Sequence, residues 1–430
     1  MNNATPSVFS SSLLGESYCT YRHASGLTVY VFPKKLTTTY AIMGVKYGSL
    51  NNSFFCNGRK LTVPDGIAHF LEHKLFTNED GSDSFERFAE HGADANAYTS
   101  FNKTAYLFSC TDDYRAPLGE LIDFVTHPYF TPESVASEIG IIAEEIKMYE
   151  DNPSDRCFYG MLEGMYEHHS IRRNICGTRE SISEITPEIL YGCYNAFYNL
   201  SNMVLIVCGD VEPTEVFSTA DAHLPRESKP FEVMVTNENA SESPSAFMPY
   251  VEKRMQVSKP IFNIGFKDID IPRDPAKRQK KDAIMAILDE IIFSRAGELY
   301  NYLYAGDMVS PNMTYGYSIN ESAAYNCVAG ESDDPCLVLD CIIKHIDKLK
   351  TEGLSYDDFL RGKRVMYAEF VKSFDSTDNI ANNLLSFFCE GAELLSYADI
   401  IDSVSFEDVC SSLEHCFDKN SITLSVIKPL

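Results

Sequence analysis

Apolar and polar residues alternate along the first half of the chain in patterns that predict both strands and helices. Residues 26–33 ("GLTVYVFP") and 39–49 ("TYAIMGVKYGS") are rich in β-branched and aromatic side chains, which is typical of strands. Apolar residues spaced three or four apart predict helices, because that spacing places them on one helical face. Such helices are expected at residues 66–76, 82–93, 116–128 and 132–153. Further strands are expected at residues 94–110, which divide at the turn Asn102-Lys103, and at residues 202–213.

The second half of the chain repeats this plan. A strand-like run at residues 260–271 precedes helical patterns at residues 277–293, 333–353 and 355–374. The closing "NSITLSVIKPL" resembles "SNMVLIVCGDV" at the end of the first half, since each has a polar lead-in and then alternating apolar residues. We therefore expect an ancient duplication and an α+β fold of two homologous domains, each of about 200 residues.

A shift in composition separates the two halves. Residues 226–250 are rich in Ser, Pro, Glu and Asn and lack sustained periodicity, which is typical of a linker. The predicted organisation is an N-terminal domain at 1–225, a linker at 226–250 and a C-terminal domain at 251–430.

Charge and composition narrow the range of functions. The formal net charge of −26 argues against nucleic-acid binding, which needs clustered Lys and Arg. The N-terminus lacks the basic and apolar segments of a signal peptide, and no run approaches the roughly 18 apolar residues of a membrane helix. The 13 cysteines include no C-x-x-C pair, which fits reduced thiols. We therefore expect a soluble, cytoplasmic protein that does not bind membranes.

The stretch "GIAHFLEHKLF" carries the clearest candidate chemistry. On a helix, His69, Glu72 and His73 share one face, because residues three and four apart are neighbours. Two neutral imidazoles so placed can hold one Zn²⁺ at about 2.0–2.1 Å, and Glu72 would then reach a water at the metal. The alternative is an amphipathic helix that carries surface histidines and a glutamate.

A catalytic zinc site needs a third protein ligand. The predicted helix at 132–153 offers Glu138 and Glu145, which are two turns apart on one face, whereas Glu144 points elsewhere. An acid within an apolar stripe is costly unless it is paired or bound to a metal. The alternative is a solvated acidic face.

These motifs resemble the M16 peptidases, the family of pitrilysin, insulinase and the mitochondrial processing peptidase. H-x-x-E-H is the inverted zincin motif, and "E-x(6)-E" follows some seventy residues later. Five segments stand in the family order, and the stretch from "SYDDFLRGK" to "NIANNL" is similar to the closing helical region of the second domain. Within the family the chain is most similar to the bacterial two-subunit members, the Bacillus YfmH-like proteins. The five segments are "HFLEHKLF", "GADANAYTSFNKTAYLF", "IIAEEIKMYEDNP", "ICGTRESI" and "NMVLIVCGDV".

The resemblance implies zinc-dependent peptide hydrolysis. His69, His73 and Glu145 match the zinc ligands, and Glu72 matches the general base that takes the proton of the attacking water. Glu138 matches an acid that hydrogen-bonds a ligating imidazole and fixes its tautomer.

The resemblance also implies a substrate site and a fold. The edge strand of residues 95–100 would receive an extended peptide as an added β-strand, and Phe76 would line a side-chain pocket unless it packs in the core. Each domain would be a largely antiparallel sheet covered by helices, and the two would form half of an M16 clamshell. The residues expected on the substrate strand are Ala95, Asn96, Ala97, Tyr98 and Thr99.

The family pattern breaks in the second half of the chain. Active relatives supply an Arg and, seven residues on, a Tyr from the other half of the clamshell. Here Tyr304 stands at the position of the Arg and Pro311 at that of the Tyr, and Tyr315 or Tyr317 could substitute as oxyanion donors. We therefore expect a partner, either a second M16-like subunit that supplies the Arg and Tyr or a second copy of this chain.

Two other functions fit less of the sequence. A non-catalytic peptide-binding or assembly subunit of an M16-type complex would usually have lost one of the four site residues that are intact here. A structural zinc protein would use four ligands, usually including Cys, and Cys110, the nearest cysteine downstream, lies 37 residues beyond His73.

Overall fold

The computed structural model describes residues 6–56, 58–227, 229, 232–235 and 242–430. These residues divide into two compact units that do not follow the order of the chain. Unit 1 comprises the described parts of residues 1–146, 174–236 and 371–396. Unit 2 comprises the described parts of residues 147–173, 237–370 and 397–430. Each unit thus includes a segment from the half of the chain that mainly forms the other unit.

The strands are short and are mostly joined in antiparallel pairs. In chain order they are β1 Ser7–Ser11, β2 Glu16–Arg22, β3 Thr28–Pro33, β4 Thr39–Val45, β5 Ser53–Cys56, β6 Arg59–Thr62, β7 Asp94–Thr99, β8 Thr104–Cys110, β9 Met203–Gly209, β10 Val233–Val235, β11 Tyr250–Met255, β12 Ile261–Asp268, β13 Thr314–Ile319, β14 Ala324–Glu331 and β15 Ile422–Pro429.

The helices are interspersed with the strands in each half. In chain order they are α1 Ile67–Leu75, α2 Ser84–Glu90, α3 Arg115–Thr126, α4 Pro132–Asp151, α5 Pro153–Met165, α6 Arg179–Ser183, α7 Pro187–Phe197, α8 Pro213–His223, α9 Pro275–Phe293, α10 Glu298–Ala305, α11 Pro335–Glu352, α12 Tyr356–Lys372, α13 Thr377–Glu390, α14 Tyr397–Ser403 and α15 Phe406–Cys416. No helix among the described residues is both long enough and apolar enough to cross a membrane.

Unit 1 is built on a seven-stranded sheet in the order β1-β2-β3-β9-β4-β8-β7. The central strands β4 and β9 are buried at every residue, which requires helices on both faces. Helix α13, from the far end of the chain, packs on both of these strands. At Gly44 in β4 an added Cβ would lie 2.2 Å from Leu385 Cδ1 of α13, so the glycine permits this close approach. The sheet leaves β7 at one edge.

Unit 2 is built on a five-stranded sheet in the order β11-β15-β12-β14-β13, covered by helices that include α5 and α9. This order matches five strands of unit 1, β3-β9-β4-β8-β7, and the first pair of each set is parallel while the others are antiparallel. The α+β fold of two domains, each a largely antiparallel sheet covered by helices, is therefore confirmed. The shared strand order also supports the expected duplication.

The predicted elements correspond closely to the observed ones. The helix expected at 66–76 is α1, that expected at 132–153 is α4, and the strands expected at 94–110 are β7 and β8. The division of the chain into domains around a linker at 226–250 stays a prediction. Part of that stretch, residues 228, 230–231 and 236–241, lies outside the described residues, while β10 pairs with β5 in unit 1.

A buried ion pair fixes the loop that follows α5 in unit 2. One oxygen of Glu242 accepts from the backbone N–H groups of His168 (2.6 Å) and His169 (2.7 Å), and the other lies 2.8 Å from Lys267 Nζ. Burial alone would raise the pKa of Glu242, but the hydrogen bonds from Lys267 and the two N–H groups lower it to about 2. The carboxylate therefore stabilises the unit while it is ionised.

We expect Glu242→Gln to lower the free energy of unfolding of unit 2 by roughly 1–2 kcal/mol at pH 7, because it leaves Lys267 buried without a charged partner. The pKa of Glu242 is lower in the folded than in the unfolded state. Its contribution is therefore complete above about pH 4.5 and is lost as the pH falls towards 2. Urea denaturation from pH 7 to pH 3 would show the difference from wild type shrinking in acid.

The control is Glu252→Gln, which removes an exposed acid that pairs with Lys428 in the same unit. It should change the unfolding midpoint little, because solvent screens the pair. Equal effects of the two substitutions at pH 7 would contradict the role assigned to Glu242.

Candidate metal centre

Helix α1 presents the first three site residues on its buried face. Gly66 precedes the helix at φ +89°, a left-handed conformation that glycine adopts without strain. His69 and Glu72 are buried, and the side chain of His73 is about one-quarter exposed. The sequence places them together because i, i+3 and i+4 lie on one side of a helix.

Helix α4 presents two acids from the other side of the site. Its apolar residues Ile142 and Ile146 are buried, and Glu138 and Glu145 lie on the same side, with side chains 13% and 22% exposed. Glu144 points away, and its side chain is 73% exposed. The seven-residue spacing thus brings both predicted acids to α1.

The Glu145 carboxylate lies between the two imidazoles. Its Oε1 is 3.5 Å from His69 Nε2, and its Oε2 is 3.4 Å from His73 Nε2. Two donors on one tetrahedral zinc, each about 2.0–2.1 Å from the ion, stand about 3.3–3.4 Å apart. Each oxygen of Glu145 thus lies about one zinc-donor separation from a different imidazole. Among the described residues, the donor atoms of His69, Glu145 and Cys176 all lie within 4.8 Å of one another, and His73 would have to move to share the same ion.

Glu138 holds His73 from behind. Its Oε1 lies 3.1 Å from His73 Nδ1, and its Oε2 lies 3.4 Å from Lys74 Nζ, which is buried. A carboxylate at Nδ1 keeps the proton on that nitrogen and leaves Nε2 for a metal. The Nδ1 atom of His69, by contrast, is buried and has no hydrogen-bond partner among the described residues.

The charges of the site shift several pKa values. Burial would lower the pKa of His73, but hydrogen bonds to Glu138 and Glu145 and the charge of Glu72 raise it to about 10. Hydrogen bonds from His69 and His73 hold the pKa of Glu145 far below its usual range. Protons and a metal therefore compete for the same nitrogens, so metal binding would release protons.

Glu72 contacts a substrate-edge residue. Thr99 Oγ1, at the end of β7, donates to Glu72 Oε2 at 2.5 Å. Burial raises the pKa of Glu72, and the nearby His69 and the Thr99 hydrogen bond oppose this shift. The acid of α1 is thus tied directly to the edge strand.

The five predicted substrate residues lie on β7, which pairs with β8 and ends the sheet. The backbone N–H of Ala97 donates to the side-chain oxygen of Asn96 at 2.8 Å. The hydroxyl of Tyr98 donates to Asn382 of α13 at 2.7 Å. Exposed and half-buried residues alternate over residues 94–97, where Ala95 is half-buried and Asn96 is exposed. This alternation is expected for a strand with one accessible face.

Phe76 lies in an aromatic cluster beneath α1. Its ring stacks on Phe85 with centroids 4.1 Å apart, and it lies 5.0 Å from Phe124. Only 8% of the residue is exposed. This geometry favours the core-packing alternative for Phe76 over a pocket-lining role.

Tyr315 and Tyr317 lie on β13 in unit 2. The hydroxyl of Tyr315 donates to Glu290 at 2.8 Å, and that of Tyr317 donates to Asp268 at 2.7 Å. Burial and these carboxylates raise the pKa of both phenols. Their role as oxyanion donors stays a prediction.

Two residues of the site were not found from the sequence. Lys74 contacts Glu138, and Cys176 has its sulfur 3.8 Å from His69 Nε2. Lys74 could have been found, because it directly follows His73 on a predicted helix rich in apolar residues, and a buried charge needs a partner. Cys176 is 103 positions beyond His73 and lies within the segment "ICGTRESI" that the family resemblance includes, but no local spacing links it to the histidine motif.

Comparisons with known proteins identify the same peptidase family along most of the chain. The profile of the family described as Insulinase (Peptidase family M16) matches residues 62–179, and that described as Peptidase M16 inactive domain matches residues 184–366. The chain is 34% identical over 409 residues to a Bacillus subtilis protein named uncharacterized zinc protease YmfH, which covers 94% of this chain and 95% of that protein.

Solved structures share the fold. A crystal structure described as an M16-like peptidase from Alicyclobacillus acidocaldarius has a TM-score of 0.92 and 29% identity, covering 96% of this chain and 98% of that one. Pitrilysin has a TM-score of 0.72 at 15% identity and covers 99% of this chain. This chain covers only 46% of pitrilysin, about half of its length.

We expect Glu138→Gln to weaken zinc binding by about tenfold or more, because the neutral amide holds the His73 tautomer less firmly. Competition with a fluorescent zinc chelator at pH 7.5 measures the affinity. The matched control is Glu144→Gln on the same helix, which should keep the wild-type affinity because its side chain points away from the site. Wild-type affinity in Glu138→Gln would exclude the positioning role.

Proposed function

Because the chain belongs to the M16 peptidase family, we propose that it is a zinc-dependent endopeptidase whose metal is held by His69, His73 and Glu145. The observation that carries this proposal is the Glu145 carboxylate lying between the two Nε2 atoms, at distances that suit a shared ion. Relatives named zinc proteases support the choice of metal.

The residues of the chain divide the chemistry among them. When bound, zinc supplies Lewis acidity, which lowers the pKa of water enough for it to become a nucleophile near neutral pH. Glu72 accepts the proton of the attacking water and passes it to the leaving amine. Its buried position raises its pKa, which brings its basicity closer to that task. Glu138 and Lys74 keep His73 oriented.

The substrate is a peptide that binds as an added strand on β7. An extended peptide gains backbone hydrogen bonds at a sheet edge whatever its sequence. At Ala97 the incoming carbonyl would replace the Asn96 side chain as the acceptor of the backbone N–H. Thr99 links this strand to Glu72, which would bring the bound peptide close to the general base.

We further propose that a second M16-like subunit completes the site. The chain covers about half of pitrilysin, and Tyr304 and Pro311 stand where active relatives have an Arg and a Tyr. Tyr304 is exposed on α10, and the hydroxyls of Tyr315 and Tyr317 are already engaged by carboxylates. The simpler rival is a homodimer of this chain, since self-association is common. The proposed compartment is the cytoplasm, which suits 13 cysteines that form no disulfide.

The decisive experiment measures hydrolysis of a mixed quenched-peptide library by the purified chain, with zinc quantified in the same sample. We expect one zinc per chain, and zinc-dependent cleavage either by the chain alone or after a partner is added. Glu72→Gln should retain the zinc and lower kcat by about 10²–10⁴, because it removes the general base.

Each outcome decides a part of the proposal. Cleavage by the chain alone, abolished in Glu72→Gln, would establish a complete peptidase and argue against an obligatory partner. Stoichiometric zinc without cleavage would support the missing subunit, which co-purification from the source cell should then recover. Absence of zinc together with peptide binding would favour the non-catalytic subunit.

A further inference from the structure

We infer that Cys176 is a fourth metal donor, which joins His69, His73 and Glu145 when no substrate is bound. The inference rests on the proposed zinc centre and adds to it a closed resting state. It concerns a residue that the H-x-x-E-H and E-x(6)-E motifs do not include.

The position of the sulfur carries the inference. His69, Glu145 and Cys176 each offer one donor atom, and the three atoms lie within 4.8 Å of one another. Cys176 Sγ is 3.8 Å from His69 Nε2. A sulfur at about 2.3 Å and a nitrogen at about 2.05 Å on one tetrahedral zinc stand about 3.6 Å apart. The observed separation exceeds this by a few tenths of an ångström, which a side-chain rotation can close.

The backbone around Cys176 is fixed against the start of α1. Gly66 and Gly177 both have positive φ, and a Cβ on either would lie 2.4 Å from a carbonyl oxygen of the opposite segment, Cys176 O and Asp65 O respectively. Ser181 Oγ also donates to Asp65 O at 2.8 Å. Two chain segments so closely packed hold the cysteine beside the first histidine of the motif.

The surroundings of Cys176 suit a metal ligand better than a packing residue. Cys176 is 5% exposed, and its sulfur lies within 4.8 Å of donor atoms of the buried His69 imidazole and of the Glu145 carboxylate. Thiolate is a strong zinc ligand, and four protein donors are typical of closed sites.

The closed state has a definite exchange with the open one. On closing, the thiol of Cys176 would lose its proton to solvent and a zinc–sulfur bond would form, while the bond between zinc and a water would break and the water would leave. On opening, the zinc–sulfur bond would break, the sulfur would take up a proton from solvent, and a water would bind again.

X-ray absorption at the zinc edge of the full-length, zinc-loaded protein tests the inference without any activity measurement. We expect one sulfur per zinc at about 2.3 Å, resolved from nitrogen and oxygen at about 2.0–2.1 Å. Cys176→Ala should lose that sulfur completely and bind zinc at least about tenfold more weakly. Cys176→Ser is the second variant, in case the alanine variant folds poorly.

Cys110→Ser is the matched control, because Cys110 is also buried. It lies at the opposite end of β8 from Thr104, which pairs with the Thr99 that contacts Glu72. It should keep the sulfur at the zinc. Circular dichroism of all variants confirms that they are folded.

The outcomes separate this inference from the proposed function. One zinc per chain with only nitrogen and oxygen around it in the wild type would overturn the fourth donor and leave the metal centre intact. A sulfur that persists in Cys176→Ala would overturn the assignment to this residue. Absence of stoichiometric zinc in the wild type would overturn both proposals.

Discussion

The compensation of buried negative charge is the constraint on which the candidate metal centre of unit 1 depends. Glu72, Glu138 and Glu145 converge between α1 and α4, and Lys74 is the fixed positive charge among them. Three carboxylates and one ammonium leave a net charge of −2 when both histidines are neutral. A divalent cation cancels that charge, whereas without it the raised pKa of His73 compensates only one unit. The centre is therefore electrostatically complete with a divalent ion and incomplete without it.

The parts of the site that follow local periodicity could be predicted from the sequence. The three residues of α1 and the two acids of α4 are each related by helical spacing, which a sequence displays directly. Thr99 was expected to contact substrate, but its bond to Glu72 depends on how β7 meets α1. Cys176 depends on two glycines that bring distant segments together. Such long-range contacts leave no periodic signal.

The fold was predictable for the same reason, and its exceptions are again long-range. Strand and helix patterns gave the order of elements and the repeat of the plan, which the two sheets share. The sequence did not indicate that α5 belongs to unit 2 and α13 to unit 1. A change in composition can suggest where one domain ends along the chain, but it does not show that a helix packs against the other half. Phe76 shows a similar limit: its spacing fits a pocket, but the neighbouring rings that enclose it come from α2 and α3.

Each unit buries an acid on a helix between two corresponding strands, and in unit 1 these strands are β4 and β7, with Glu72 on α1. In unit 2 the helix between β12 and β13 is α9, and its Asp289 is fully buried and accepts a hydrogen bond from Asn326. Burial raises the pKa of Asp289 well above its usual value, and the hydrogen bond from Asn326 opposes this shift. Both units thus bury acids on these helices. Since α13 completes the buried faces of β4 and β9, the metal unit cannot acquire its full core until residues near 390 have left the ribosome. Translation therefore delays the completion of unit 1 until α13 has been made, after residues 237–370 of unit 2.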